Sequence, residues 1–152
     1  MVVRRVAARP RTAAGMLRRA RVGRLATADP QGQPHVVPVC FAFDGAAVYI
    51  AIDDKPKRAA PRRLRRVRNI EANPQVALVI DHYEEDWRRL GFVLMTGTAQ
   101  MIAEGRDYLR ALTLLRRKYR QYRAMRLENN PVIKISPRRT VAWTATPRKG
   151  SA

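Results

Sequence analysis

Short apolar runs alternate with turn residues along most of this chain, and three stretches switch to helical spacing. Thr12 precedes a segment in which Met16, Leu17 and Ala20 share one face, so a short helix is predicted over 12–21 with Thr12 as N-cap. VGRLATA (22–28) reads as a strand. DPQGQP (29–34) follows, with Asp29, Pro30 and Gly32 placed as a hairpin loop demands. HVVPVCFAF (35–43) is long, apolar and β-branched; Asp44–Gly45 is a hairpin signal, and AAVYIAI (46–52) returns. These runs predict a three-stranded meander. Pro38 falls inside the second strand, where a missing ladder donor fits either an ordinary edge strand or an interruption whose free backbone groups serve a planar ligand.

DDKPKRAA (53–60) reads as a loop, and Pro61 suits the first turn of a helix. In PRRLRRVRNIEA, Leu64, Val67 and Ile70 form an inward face, which puts Arg62, Arg63, Arg65, Arg66 and Arg68 on exposed flanks. Asn73–Pro74 ends the helix. QVALVID (75–81) is a strand, HYEEDWRRL (82–90) a charged loop carrying Trp87, and GFVLMTGTAQMI (91–102) a long strand with Gly97 at a bulge or bend. Tyr108, Leu112, Leu115, Tyr119 and Tyr122 recur every four or three residues, predicting one helix from Glu104 to about Leu127. Residues 129–145 supply one or two closing strands, and the tail 146–152 is expected to fray. The order implies a mainly β (α+β) barrel of six or seven antiparallel strands with flanking helices. It forms a single domain over 1–152 with an ordered core of about 12–145. So small a barrel holds little inside, so a ligand belongs on its outside or at a subunit boundary, most simply that of a homodimer.

The hydrophobic fraction of 46% fits a globular chain, and no run approaches the roughly 20 apolar residues of a membrane helix. The N-terminal stretch is Arg-rich and acid-poor, as transit peptides are, but its apolar residues lead straight into the first strand, so it reads as part of the fold. Cys40 is the single cysteine, which fits a reducing, cytoplasmic setting, and its apolar neighbours predict a buried, inert thiol. The net charge of +19 changes the picture most. It predicts attraction to a polyanion: nucleic acid, an anionic membrane surface or a small multiply charged ligand. Arginine supplied by a GC-rich genome would give the same balance without a ligand.

No familiar catalytic constellation is present. His35 and His82 have no metal-ligand spacing around them, and there is no P-loop, no GxGxxG and no support for a Ser-His-Asp arrangement. Glu84, Glu85 and Asp86 read as a solvated loop or as partners for the nearby Arg-rich helix. The sharpest feature is KPKRAAPRRLRRVR (55–68), with eight basic residues and no acid, placed after a strand and at a helix start where phosphate is held well.

Taken in order, GRLATADPQGQPHVVPVCFAFDGAAVYIAIDDKPKR, LRRVRNIEANPQVALVIDHYEEDW and VLMTGTAQMI resemble the pyridoxamine 5′-phosphate oxidase-like split-barrel superfamily. Within it they are most similar to the branch of oxidoreductases dependent on the deazaflavin coenzyme F420, with FMN as the alternative cofactor. The resemblance implies a homodimer with two equivalent coenzyme sites across the subunit boundary. It implies that Val37, Pro38, Val39 and Cys40 line the tricyclic ring and that Ala51 and Ile52 flank it. Lys55, Lys57, Arg58 and Arg66 would hold the phosphate and any polyglutamate tail, and Trp87 would come from a capping loop. The implied reaction is hydride transfer between the reduced deazaflavin and a small unsaturated or quinone-like molecule, with no side chain assigned as acid or base and no metal. The chain departs from the flavin-binding oxidases in their compact Ser-Arg-Lys phosphate motif: the stretch before Asn73–Pro74 is longer here, and Arg66 takes the place counted back from Pro74. The substrate-binding residues of the pyridoxamine oxidases are not found, which points away from vitamin B6 chemistry. The competing readings are an FMN oxidase or reductase of the same fold, a nucleic-acid module using 62–68 and 116–126 with Tyr119 and Tyr122, and a coenzyme carrier without turnover.

Overall fold

The computed structural model describes residues 12–53 and 64–145. Local chemistry accounts for the early turns. Thr12 caps α1 (Ala13–Arg19), its Oγ1 accepting the Gly15 N–H at 3.1 Å. Between β1 (Gly23–Ala28) and β2 (Pro34–Val39) the Asp29 carboxylate accepts the N–H groups of Gln31 and Gln33, both at 2.9 Å. Between β3 (Ala42–Phe43) and β4 (Val48–Ala51) the Asp44 carboxylate accepts from the Ala46 and Ala47 N–H groups and from the Tyr49 hydroxyl. Gly45, at φ +99°, supplies the left-handed residue that this turn needs. Then follow α2 (Arg65–Ala72), β5 (Gln75–His82), β6 (Gly91–Ile102), α3 (Arg106–Lys118) and β7 (Val132–Thr144). Among the described residues no helix is long and apolar enough to cross a membrane.

The run 35–43, expected as one strand, is two. β2 ends at Val39, β3 begins at Ala42, and the seven antiparallel strands run in the order β2-β1-β5-β6-β7-β4-β3. The broken run thus supplies both margins of the sheet, and the expected meander is divided between them: β2 pairs with β1, β3 with β4. Three chain steps reach at most roughly 11 Å, so the sheet must curl until its first and last strands meet. This is a split barrel. Gly97 supplies the expected bend: the β6–β7 register shifts between Thr96 and Gly97, where a Cβ would collide with the Ser136 carbonyl oxygen.

Inside the barrel lie Leu25, Phe41, Val48, Ile50, Leu78, Ile80, Val93 and Ile133, closed at one end by Val67 and Ile70 of α2. A second cluster packs α3 against β3 and β4. All five residues of the predicted Tyr–Leu seam are buried there, yet the helix itself ends at Lys118 instead of about Leu127. Tyr119 turns extended, and two 3-10 turns, Arg120–Arg123 and Leu127–Asn129, follow. Arg116 secures them with a forked contact to Glu128 at 2.6 and 2.8 Å and bonds to the Tyr122 and Met125 carbonyls.

The helix stops because Tyr119 is needed elsewhere. Its hydroxyl accepts the Phe41 N–H at 3.0 Å and has the carbonyls of Arg21 (2.9 Å) and Phe41 (3.0 Å) to donate to. Phe41 is fully buried between the two margins of the sheet, where no ladder satisfies it. Lys118 reaches over the Phe41 ring at 3.7 Å and donates to the Leu17 carbonyl, tying α1 to the same junction. Burial pushes the Tyr119 hydroxyl up to about 12, opposed by its Phe41 backbone bond. Burial, then the neighbouring Arg21, pulls the Lys118 ammonium down to about 8.

These shifts give opposite pH slopes. Between about 8 and 10.5 the unfolded chain holds a proton that folded Lys118 has released, so stability rises with pH. Between 10 and about 12 folded Tyr119 keeps a proton that the unfolded chain has lost, so stability falls. Urea unfolding across this range is expected to show a rise that K118M lacks and a fall that Y119F makes shallower. At neutral pH, Y119F leaves the buried Phe41 N–H unmatched and is expected to cost about 1–3 kcal/mol. G97A, which forces the β6–β7 backbones apart, is expected to cost about as much or more in the same assay.

Candidate functional site

The two margins of the sheet do not pair with each other along their length. β2 pairs only with β1, and Ile50 and Ala51 of β4 pair only with β7. Between these strand edges lies a concavity of about 210 Å³. Its apolar walls are Val22, Pro38, Val39, Ile50 and Ala51, and its polar groups belong to Cys40, Asp53, Arg66 and Tyr122. Pro38 thus sits in an edge strand that runs unbroken through it, as the simpler of its two readings has it, and that edge borders a cavity.

The electrostatic centre is Arg66, in the first turn of α2. A buried hydrogen bond from Asn69 Nδ2 to Thr27 Oγ1 at 2.9 Å seats that helix against β1. Val67 and Ile70 point into the barrel, and Arg65 and Arg68 are exposed, as the helical spacing requires. Arg66 departs from the expected exposed flank: it is half-buried and faces Asp53 and Tyr122. Burial lowers the guanidinium's hold on its proton, while Asp53 and Tyr122 raise it. Its Nε is buried with no hydrogen-bond partner among the described residues. A buried, orphaned guanidinium N–H is costly unless a ligand oxygen meets it, so the residues present fit an anionic group such as a phosphate. Tyr122 is buried, and that burial, with Cys40 and Asp53 adding, pushes its hydroxyl well above the ordinary tyrosine range. Cys40, expected buried and inert, is half-buried and borders the concavity.

Of the residues singled out in the sequence, Pro38, Val39, Cys40, Ala51 and Arg66 come together here. Val37 and Ile52, beside them in the chain, pack on the barrel core instead. Lys55, Lys57 and Arg58 lie outside the described residues. Trp87 is elsewhere. It stands 68% exposed on the turn Trp87–Arg89, whose two arginines line a second cleft of about 320 Å³ with Met16, Ala20 and Leu90. That cleft is larger, and most of the charges in and beside it are paired: Arg89 and His82 with Glu84, Arg88 with Asp86 and Arg24 with Asp81, with Arg19 also on its wall. Among the described residues the acidic cluster meets its own loop and not the Arg-rich helix. The sequence reading did not include Val22, Ile50, Asp53 or Tyr122 in the site. Tyr122 was visible as the last member of the Tyr–Leu seam; nothing local marked the others. Tyr119 and Tyr122 are core residues, which removes them as platforms for stacking bases.

Residues 10–144 match the family described as pyridoxamine 5′-phosphate oxidase. A 5a,11a-dehydrotetracycline/5a,11a-dehydrooxytetracycline reductase of Streptomyces rimosus is 34% identical over 122 residues, covering 80% of this chain and 72% of the relative. Among solved structures, a conserved hypothetical protein of Mycobacterium tuberculosis superposes with a TM-score of 0.71 at 19% identity, over 98% of this chain and 95% of that one. A protein named as an F420 reductase gives 0.58 at 22% identity, over 83% and 93%. An FAD-binding protein of Mesorhizobium loti gives 0.62 at 22%, over 85% and 89%. With the match spanning nearly its whole length and the split barrel in place, this chain belongs to the pyridoxamine 5′-phosphate oxidase family.

Proposed function

We propose that this protein is an oxidoreductase that binds the deazaflavin coenzyme F420 in the split between β2 and β4 and reduces a small unsaturated acceptor. The observation that carries this is the buried Arg66 Nε, which has no partner among the described residues, beside two strand edges that no described strand pairs. Such a site offers a charge for a phosphate, hydrogen-bonding edges for a flat heterocycle and apolar walls for its faces. The coenzyme, when bound, supplies the hydride. The chain's own part is to hold and orient: Arg66 takes the phosphate, the backbone of Pro38 to Cys40 and of Ala51 aligns the ring, and Val22, Val39 and Ile50 exclude water. Lys55, Lys57 and Arg58, which follow β4 in the sequence, would add positive charge for the phosphate and acidic tail of that coenzyme, a use for the net charge of +19. The reductase relative from Streptomyces rimosus supports the reaction class, and the "dehydro" in its name supports an unsaturated acceptor.

We also propose a homodimer. At about 210 Å³ the concavity is smaller than the roughly 300–1,000 Å³ of common ligand pockets, so a second copy is needed to complete it. Among the described residues, β7 beyond Ile135 has β6 on one side and no strand on the other, and Val141 (37%) and Trp143 (47%) stand exposed on it. Trp87, remote from its own chain's split, is free to cap the split of a second copy.

Titration of the purified protein with the deazaflavin and with FMN, followed by fluorescence, tests the coenzyme. Deazaflavin is expected to bind; tight FMN binding without it would move the protein to the FMN readers of the same fold. R66M is expected to weaken coenzyme binding at least about tenfold, as the loss of a charged hydrogen bond implies, and K55Q/K57Q is expected to weaken it further in low salt. A double substitution, V141E/W143E, is expected to sediment as a monomer and lose coenzyme affinity. An unaltered sedimentation coefficient would place the subunit boundary elsewhere.

A further inference from the structure

The split carries an acid as well as a guanidinium. Asp53, just past the end of β4, and Arg66, in the first turn of α2, line the same concavity of about 210 Å³. The other polar groups on that wall are Cys40, from the chain between β2 and β3, and Tyr122, whose hydroxyl is held in its neutral form by burial. With 31 basic residues against 12 acidic ones, acids are scarce in this chain. Several of the described ones serve elsewhere: Asp29 and Asp44 hold turns, and Asp81, Asp86 and Glu128 pair with arginines outside the split. A carboxylate in the wall of a site for an anionic group calls for its own account.

Neutralising Arg66 is the simplest one. Burial weakens the guanidinium's hold on its proton, and Asp53 restores part of it. Yet a carboxylate placed only to satisfy Arg66 would accept from the buried Nε, and that N–H has no partner among the described residues. The wall therefore keeps one unmet donor to offer an anion and one fixed negative charge beside it. An anion that meets Arg66 in so small a space lies within the roughly 8 Å over which salt screens charge, so it also senses Asp53. Desolvating an anion costs more as its charge grows. A single negative charge is met at short range by the Arg66 N–H. A second finds no further cation on the described wall, is opposed by Asp53 and must still be stripped of water.

Phosphate groups differ in this respect. A phosphomonoester carries about −1.5 to −2 charges at neutral pH and loses its second proton at about pH 6, whereas a phosphodiester carries a single negative charge. FMN ends in a monoester, and the deazaflavin coenzyme joins its tail through a diester. We propose that Asp53 selects the ligand by the charge of its phosphate, admitting a singly charged diester and disfavouring a doubly charged monoester. The inference rests on the reading of the split as the coenzyme site, and it adds the residue that tells the two candidate coenzymes apart.

Dissociation constants on the full-length protein, read by fluorescence, test this with three compounds that share the deazaflavin ring and its ribityl chain. One has no phosphate, one has the 5′-phosphate monoester, and one has the methyl diester of that phosphate; the intact coenzyme is run beside them. At about pH 8 the wild type is expected to bind the diester at least about fivefold tighter than the monoester. At about pH 5, where the monoester has regained its second proton, the gap is expected to close. That comparison needs no variant. D53N, checked for an unchanged melting temperature, is expected to strengthen the monoester more than the diester at the higher pH and to narrow the gap to about twofold. The proposal is overturned if the wild type at the higher pH binds the monoester as tightly as the diester, or the phosphate-free compound as tightly as either. It is also overturned if D53N shifts both phosphates alike, which would make Asp53 a companion of Arg66 and nothing more, or leaves the gap as it was. In each of these cases, binding of the intact coenzyme keeps the reading of the split standing. If the wild type binds neither the coenzyme nor any of the three compounds, both fall.

Discussion

The fold depends on one buried peptide group. At Phe41 the chain leaves one margin of the sheet and enters the other, and its N–H and C=O have no strand beside them. The Tyr119 hydroxyl, delivered from the end of α3, answers both. Without that third party the crossing would bury unsatisfied backbone in the middle of the protein. With it, the two margins are held close but unpaired, and the gap between them becomes a place to put something. The barrel is split because the chain crosses there, and the crossing is tolerable because a tyrosine arrives from outside the sheet.

Charge is distributed on the same plan. Around the hairpin of β5 and β6, arginines and acids neutralise each other over short distances. Around the split, a guanidinium is driven into a half-buried position with one N–H unmet. The first arrangement pairs most of its charges internally; the second sets Arg66 against Asp53 and leaves the Arg66 Nε unmatched among the described residues. This contrast decides between the two concavities better than their size does.

Much of this was legible in the residues. Turn chemistry placed both early hairpins, the spacing of Leu64, Val67 and Ile70 placed α2 on the core, and Gly97 marked the bend. What escaped notice depended on contacts between distant segments. Nothing in the apolar run 35–43 says that it breaks at Cys40–Phe41, because the break is stabilised from residue 119. The Tyr–Leu seam was read correctly as buried and incorrectly as one helix, since periodicity reports which side chains turn inward but not whether the backbone between them stays helical. By helical spacing Arg66 read as one of several surface arginines, and the family resemblance alone set it apart as a phosphate contact; its half-buried place beside Asp53 and Tyr122 depends on other elements. Trp87 drew notice as a large aromatic in a charged loop, and it lies remote from the split of its own chain.

The bulge at Gly97 falls where β7 outruns β4: past Ile135, among the described residues, the strand has β6 on one side and no strand on the other, the kind of margin on which like chains add without limit unless it is covered or blocked. Pro137 deletes a donor just past the bulge, and Arg138 and Arg139 stand exposed immediately after it, so a like strand sliding alongside would meet repulsion and a missing bond. A proline and two exposed cations at that place oppose the endless edge-to-edge addition of like strands while leaving room beyond them for apolar residues.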